Sequence, residues 1–314
     1  MGDSLLNRIF KFVPYILVAL IGCFLSIFVF LKTKSLNKFK SPFGLLIQGL
    51  CFVTTINMAS VSIWLTLRII LDNHAILELS SEYFGIVSSF TKYSILLLTF
   101  VISFNRFLAV SFPIFYSQNF SMFFTKNIIA FVIILSFLVG STSVIVGCGS
   151  RFSSATYLFT YPNTTCGRIF SYWINFVGNI FMASLNIGID IGTFIILIYR
   201  KQHLHFISVK SLNGNNHFSS QYKQDIIFFG QSVLQNIDFV LAIISINIFT
   251  DYFQYNYAKL YFNSFATCLA NVVNIIIIVV FNKELRWSNR DDKVHKINKN
   301  GIVEKQCCEK RIKH

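Results

Sequence analysis

Hydrophobic positions along this chain do not alternate with polar ones. They gather in long runs, separated by short connections rich in lysine, asparagine and serine. Seven runs stand out: Phe12–Leu31, Gly44–Leu67, Tyr83–Phe104, Asn127–Val146, Tyr172–Tyr199, Ile226–Phe249 and Leu260–Phe281. Each reaches about 20 residues or more, the length an α-helix needs to cross the hydrocarbon core of a bilayer. A buried helix of a soluble domain could account for one such run, but not for seven. The fifth carries the weakest signal, because Asn175, Asn179, Asn186 and Asp190 interrupt it. The first is too long for the apolar stretch of a signal peptide, and no small-residue cleavage site follows, so it is expected to remain as a span. Met1-Gly2 opens like a myristoylation site, but Leu6 stands where Ser or Thr is needed. The pattern predicts an all-α membrane protein, a seven-transmembrane helix bundle over residues 1–286, followed by a basic, flexible tail over 287–314.

Composition strengthens this reading. Hydrophobic residues make up 54% of the 314 and charged residues only 13%, about half the charged share of a soluble domain.

Charge sets the expected orientation. The net charge is +14, which in a soluble protein would suggest nucleic acid as a partner. Here its distribution argues for topology instead. Lys32–Lys40 carries +4, Arg106–Lys126 +2, Arg200–Asp225 +3 and the tail from Asn282 +5. The alternate connections are nearly neutral: +1 before the first run, −2 over Arg68–Glu82, +2 over Gly147–Ser171 and 0 over Thr250–Lys259. Positive loops stay cytoplasmic, so the N-terminus is expected outside and the C-terminus inside. Arg106 then falls at the inner end of the third run, where a long side chain can snorkel to the interface.

Polar residues inside the runs repeat at helical spacing. Gln231, Gln235 and Asp238 share one face of the sixth. Asn175, Asn179, Asn186 and Asp190 share one face of the fifth. Asn263, Thr267, Asn271 and Asn274 do so in the seventh, and Lys92, Thr99, Ser103 and Arg106 in the third. Polar groups facing lipid are costly, so these stripes are expected to point into the bundle. Each could serve interhelical hydrogen bonding alone; together they imply a partly hydrated interior.

The string Asn105-Arg106-Phe107-x-Ala109-x-x-x-Pro113-x-x-Tyr116 follows the third run. "SPFGLL" (41–46) opens the second, with Asn57 further along it. "GC" at 147–148 faces Cys166 in the connection between the fourth and fifth runs. "FFGQSVLQ" (228–235) opens the sixth and "FNKELR" (281–286) closes the seventh. In this order the motifs resemble the G-protein-coupled receptors, and most closely the nematode serpentine chemoreceptors of class Srx, over about residues 15–286. The chain departs from the wider superfamily at several points. Ser26 replaces a span-one Asn, and Asn105 replaces the Asp of the Asp-Arg-Tyr triplet. Span six has no proline, span seven has no Asn-Pro-x-x-Tyr, and Asn274 stands where the nematode family more often has Asp.

The resemblance implies a chemosensory receptor of the plasma membrane, expected in sensory-neuron cilia. It would bind a small extracellular ligand within the bundle and activate a heterotrimeric G protein. Asn105, Arg106, Phe107, Pro113 and Tyr116 would form the coupling switch. Lys92, Asp238, Asn179 and Asn271 would mark the ligand pocket or a buried ion pair. Asn57, Asp190, Gln231, Gln235 and Asn274 would form an internal polar network. Lys92 lies about 21 Å above Arg106, from the helical rise of 1.5 Å per residue, and Asp238 about 20 Å above Asp225. The two should either pair or share a pocket. Amine receptors carry a span-three Asp near the level of Ser88; its absence disfavours an amine and leaves an anionic or neutral ligand.

Cys148 and Cys166 are expected to bridge on the oxidising side. Cys307 and Cys308 are weak candidates for palmitoylation in the tail. The sequon at Asn163 falls outside and can be glycosylated, whereas the one at Asn119 falls inside and should stay bare. Residues 282–287 can lie along the inner interface as a short amphipathic stretch. Membrane lipid is an expected partner and nucleic acid is not. No cofactor or metal is expected, since the seventh run has no lysine for a retinal Schiff base and no catalytic motif appears. A small-solute or ion transporter or channel with seven spans is the alternative. The intramembrane Lys and Asp favour it, while the odd number of runs and the lack of an inverted repeat count against it.

Overall fold

A computed structural model describes residues 5–36, 39–71, 75–153, 158–210, 216–245, 265–282 and 285. The helices are α1 (Leu5–Ser35), α2 (Pro42–Leu71), α3 (Ala75–Ser111), α4 (Pro113–Asn119), α5 (Met122–Ile145), α6 (Thr165–Arg168), α7 (Gly178–Lys210), α8 (Asn216–Ile244) and α9 (Ala266–Phe281). A π-helical segment, Ile169–Val177, joins α6 to α7 in one continuous rod. Among the described residues six helical segments are long and apolar enough to cross a membrane; α9 spans 16 residues, and the stretch just before it lies outside the described residues. The tail from 286 onward, with Cys307 and Cys308, also lies outside them, as does Asn263.

Local chemistry explains where these helices begin and end. Ser41 accepts from the Gly44 amide at 3.2 Å and caps α2. Ser121 accepts from Phe124 at 3.1 Å and caps α5, each satisfying one of the orphan donors of a first helical turn. Pro113 opens α4, where its missing N–H costs nothing. Gly147, at φ 73°, follows α5 in the left-handed conformation that glycine adopts freely. Within the spans, hydroxyls fold back onto their own backbone, as Thr55 does to Cys51, Thr99 to Ile95 and Thr193 to Ile189. That satisfies hydroxyl donors within the spans on their own helix.

The packing closes into a ring. α1 lies on α2 and α9, α2 on α3, α3 on α5 and α7, α7 on α8, and α8 on α9. One apolar core sits at the end of the bundle near Arg106, built from Leu46, Ile47, Leu50, Leu98, Ile102, Ile275 and Ile278. A second sits at the opposite end, around Phe12, Tyr15, Met58, Trp64 and Leu65. The outward faces stay apolar, with Phe24 70% and Phe131 65% exposed, as a lipid-facing surface requires. Small residues allow close approach between helices: a Cβ on Gly22 of α1 would come within 2.8 Å of Val272 on α9.

Three features depart from the pattern read in the sequence. The first three helices overrun their apolar runs at both ends; α3 covers Ala75–Ser111, well beyond 83–104. The connection after α5 holds a two-stranded antiparallel hairpin, β1 (Arg151–Ser153) and β2 (Leu158–Thr160). Finally, the two described residues after α9, Asn282 and Leu285, are buried rather than exposed on a surface. Leu285 is fully buried, and its carbonyl accepts from Lys32 Nζ at 2.8 Å. Lys283, Glu284, Arg286 and Trp287 lie outside the described residues.

Candidate functional site

The polar stripes converge on the bundle axis and divide into two layers. The layer nearer the hairpin encloses a cavity of about 590 Å³. Lys92 and Thr99 reach it from α3, Asn57 from α2, Asn175 from the π-helical segment, Asn179 and Asn186 from α7, Gln235 and Asp238 from α8, and Thr267, Asn271 and Asn274 from α9. Ser88 is part of the same wall. Phe152, Phe159 and Tyr161 close the cavity from the hairpin side.

Lys92 and Asp238 therefore share a cavity, and among the described residues no ion pair joins them. The Lys92 ammonium instead donates to Asn175 Oδ1 at 3.1 Å, and the Tyr93 hydroxyl donates to the same oxygen at 3.1 Å. Elsewhere in the wall, Thr91 donates to Asn57 at 3.2 Å, and Gln235 Nε2 donates to Asn274 Oδ1. Two buried amides are left over. Asn179 keeps an unpartnered Oδ1, and Asn186, only 1% exposed, has no partner for either amide atom.

The hairpin is fixed over this cavity from several sides. Cys148 and Cys166 are bridged, with Cα atoms 6.0 Å apart. Arg151 pairs with Glu82 on α3. Trp64 packs against Phe84, Phe152 and Phe159, with ring centroids 4.7, 5.6 and 5.8 Å away, and the Arg68 guanidinium lies over Phe152 at 4.8 Å. Asn163 is exposed beside Thr164, the N-cap of α6.

Arg106 organises the second layer. It does not snorkel: it is 7% exposed and turned into the bundle. Its Nη1 donates to the Phe228 carbonyl of α8 at 2.7 Å. Its guanidinium lies between two rings, 4.7 Å from the centroid of Phe43 on α2 and 5.5 Å from that of Phe228. Asp190 of α7 supplies the nearby negative charge. The Asp190 carboxylate accepts from Ser232 at 2.9 Å and from Asn236 at 2.6 Å. Ser232 has one proton and spends it on Asp190, so in the 3.1 Å contact between Ser103 and Ser232 the donor is Ser103. The chain Ser103, Ser232, Asp190, Asn236 thus ties α3, α8 and α7 together beside Arg106.

The rest of the string after α3 has distinct places. Asn105 is buried, with its side chain beside the Tyr116 hydroxyl. Burial pushes the Tyr116 phenol above its ordinary value, and Asn105 opposes the rise. Phe107 is half-buried, stacks on Phe104 and faces Gly192 of α7. Pro113 is exposed at the start of α4. Gln231 lies apart from both layers, fully buried, and accepts from Asn282 at 3.3 Å.

The polar stripes read in the sequence contain residues of both layers, but not the division into layers or most of the partners. Asn175 belonged to a recognised stripe, yet helical spacing does not say which residue on another helix a side chain meets. Phe43 and Phe228, which sandwich Arg106, carried no signal beyond their place in the motifs opening spans two and six.

This chain matches the family model for the serpentine-type seven-transmembrane chemoreceptor Srx over residues 16–282. Among curated proteins it is similar to Serpentine receptor class X-43 of Caenorhabditis elegans, 28% identical over 287 residues, covering 87% of this chain and 84% of that protein. Among solved structures its fold matches squid rhodopsin with a TM-score of 0.71, over 91% of this chain and 85% of that one, at 14% identity.

Proposed function

The chain belongs to the Srx family of serpentine seven-transmembrane chemoreceptors, and from that premise we propose that it binds a small polar ligand in the mid-bundle cavity and signals to a heterotrimeric G protein from its Arg106 end. The family is one of multi-pass membrane receptors rather than enzymes. The ligand enters from the hairpin side, and the loop charges support that side as the outer one. The protein resides in the plasma membrane, in a sensory cilium, with its basic loops towards the cytoplasm.

The observation that carries this reading is the meeting of the two layers on α8. Gln235 lines the cavity, and its neighbour Asn236 donates to Asp190 beside Arg106. A ligand that displaces α8 at Gln235 also strains the Asn236–Asp190 contact and the Arg106–Phe228 bond below it. If it binds best when α8 has shifted, it raises the population in which Arg106 is released, by no more than its preference for that state. The residue at 105 is an amide, so the acidic partner of Arg106 comes from α7 instead of from the neighbouring position.

The test is a second-messenger or calcium assay in cells expressing the chain with a promiscuous G protein, screened against pooled odorants and small metabolites. A response that disappears in Arg106→Ala at equal surface expression supports the reading. Ligand-dependent solute flux through vesicles lacking any G protein would replace it with a transporter.

A further inference from the structure

The cavity holds one cationic and one anionic side chain that do not pair with each other. Lys92 meets only the neutral Asn175, and Asp238 makes no hydrogen bond or ion pair among the described residues. Burying opposite charges apart is costly unless something bridges them. On the reading that this cavity is the ligand site, we propose that its ligand is a small zwitterion, with its anionic group on Lys92 and its ammonium on Asp238.

The levels of the two groups suit such a ligand. Lys92 is 14 residues before Arg106 on α3, about 21 Å along the axis. Asp238 is 10 residues after Phe228, whose carbonyl Arg106 contacts, so it lies about 15 Å above the same plane. The axial offset between the charges is about one helical turn. Asn179 falls on the Asp238 level, since it is one turn below Asn175, the partner of Lys92. Its free Oδ1 makes a second acceptor for an ammonium. Hence the Lys92 level donates and the Asp238 level accepts. Asn186, lower in the same wall with both amide atoms unpartnered, can meet a ligand's remaining polar group. The cavity, about 590 Å³, lies within the usual range for small-molecule sites.

Singly charged ligands fit less well. A carboxylate alone would neutralise Lys92 and leave Asp238 buried beside a new negative charge. An amine alone would do the reverse. A net-neutral, doubly charged molecule satisfies both groups without changing the charge of the interior.

The proposal is tested on the purified full-length chain by thermal unfolding. The probes are the common α-amino acids and the ω-amino carboxylic acids from glycine to 6-aminohexanoate. Each is compared with its amine-only and carboxylate-only analogues. At least one zwitterion is expected to raise the unfolding midpoint with a half-maximal concentration ten- to a hundred-fold below either analogue, the range for losing one charged hydrogen bond. Lys92→Met should abolish the preference for the carboxylate. Asp238→Asn should let the carboxylate-only analogue bind as well as the zwitterion. Equal binding of a singly charged analogue to the native chain overturns the proposal, and so does the absence of a shift with every zwitterion. The second-messenger assay is run in parallel. Binding without signalling defeats the coupling role while the ligand class stands; signalling driven by singly charged compounds does the opposite.

Discussion

At the scale of single residues, Arg106 carries the most consequence. Its charge is held inside the bundle by one carbonyl, two aromatic faces and a nearby carboxylate. A partly desolvated cation–π contact contributes about 1 kcal/mol. Phe43→Leu should therefore loosen the latch and raise ligand-independent signalling by up to about five-fold, read as basal second messenger at matched surface expression. A basal level equal to the parent's would mean that the ring only fills space. Asp190 allows a sharper comparison. Asp190→Ala removes the acceptor of both Ser232 and Asn236 and leaves Arg106 without its carboxylate. Stranding a buried charge in this way costs about 3–5 kcal/mol. In a thermal unfolding series, Asp190→Ala should be the most damaging single change, and Arg106→Gln combined with it should recover part of the loss. If the double variant is as unstable as the sum of the singles, the two residues do not interact.

At the scale of elements, the hairpin matters most, because it closes the cavity and nothing in the hydrophobic pattern announced it. Its strands are three residues each, too short for alternation to register. The bridge at its base was legible, since two cysteines stand in one connection. Its seat on α3 was not. A Cβ on Gly85 would come within 2.3 Å of the Ser150 carbonyl, just before β1. Because that neighbour is backbone, it cannot give way by rotating a side chain. Gly85→Ala should push the hairpin off α3, weakening ligand binding while the spans stay folded. Cys148→Ser should act in the same direction, and the loss of a bridge closing a loop of about this length costs roughly 3 kcal/mol. Midpoints of unfolding and ligand titrations on the two variants would separate a loosened roof from a general collapse; unchanged ligand affinity in both would remove the hairpin from the binding reaction. The spans themselves were legible for the complementary reason. A bilayer demands about 20 apolar residues and permits few charges, whereas helix ends beyond the lipid obey capping residues that the apolar count ignores. Hence α3 extends from Ala75 to Ser111 around a run of 83–104.

At the scale of the whole molecule, the orientation in the membrane governs which end meets ligand and which meets a partner. Two independent features of the sequence bear on it, the loop charges and two sequons. Asn163 is exposed beside the bridged connection, and Asn119 is exposed at the end of α4, at the Arg106 end. Since α5 spans the membrane between them, only one can be reached by the glycosylation machinery. The proposed orientation puts the Arg106 end, whose connections carry the excess of lysine and arginine, in the cytoplasm. Asn163 should therefore be modified and Asn119 bare. The chain from a eukaryotic membrane fraction should show one glycosidase-sensitive species, lost in Asn163→Gln and unchanged in Asn119→Gln. The reverse result would invert the molecule, turning the cavity's hairpin roof towards the cytoplasm and removing Arg106 from any contact with a G protein. The same experiment thus decides whether the polar layer around Lys92 and Asp238 is open to the outside, as a receptor for an external ligand requires.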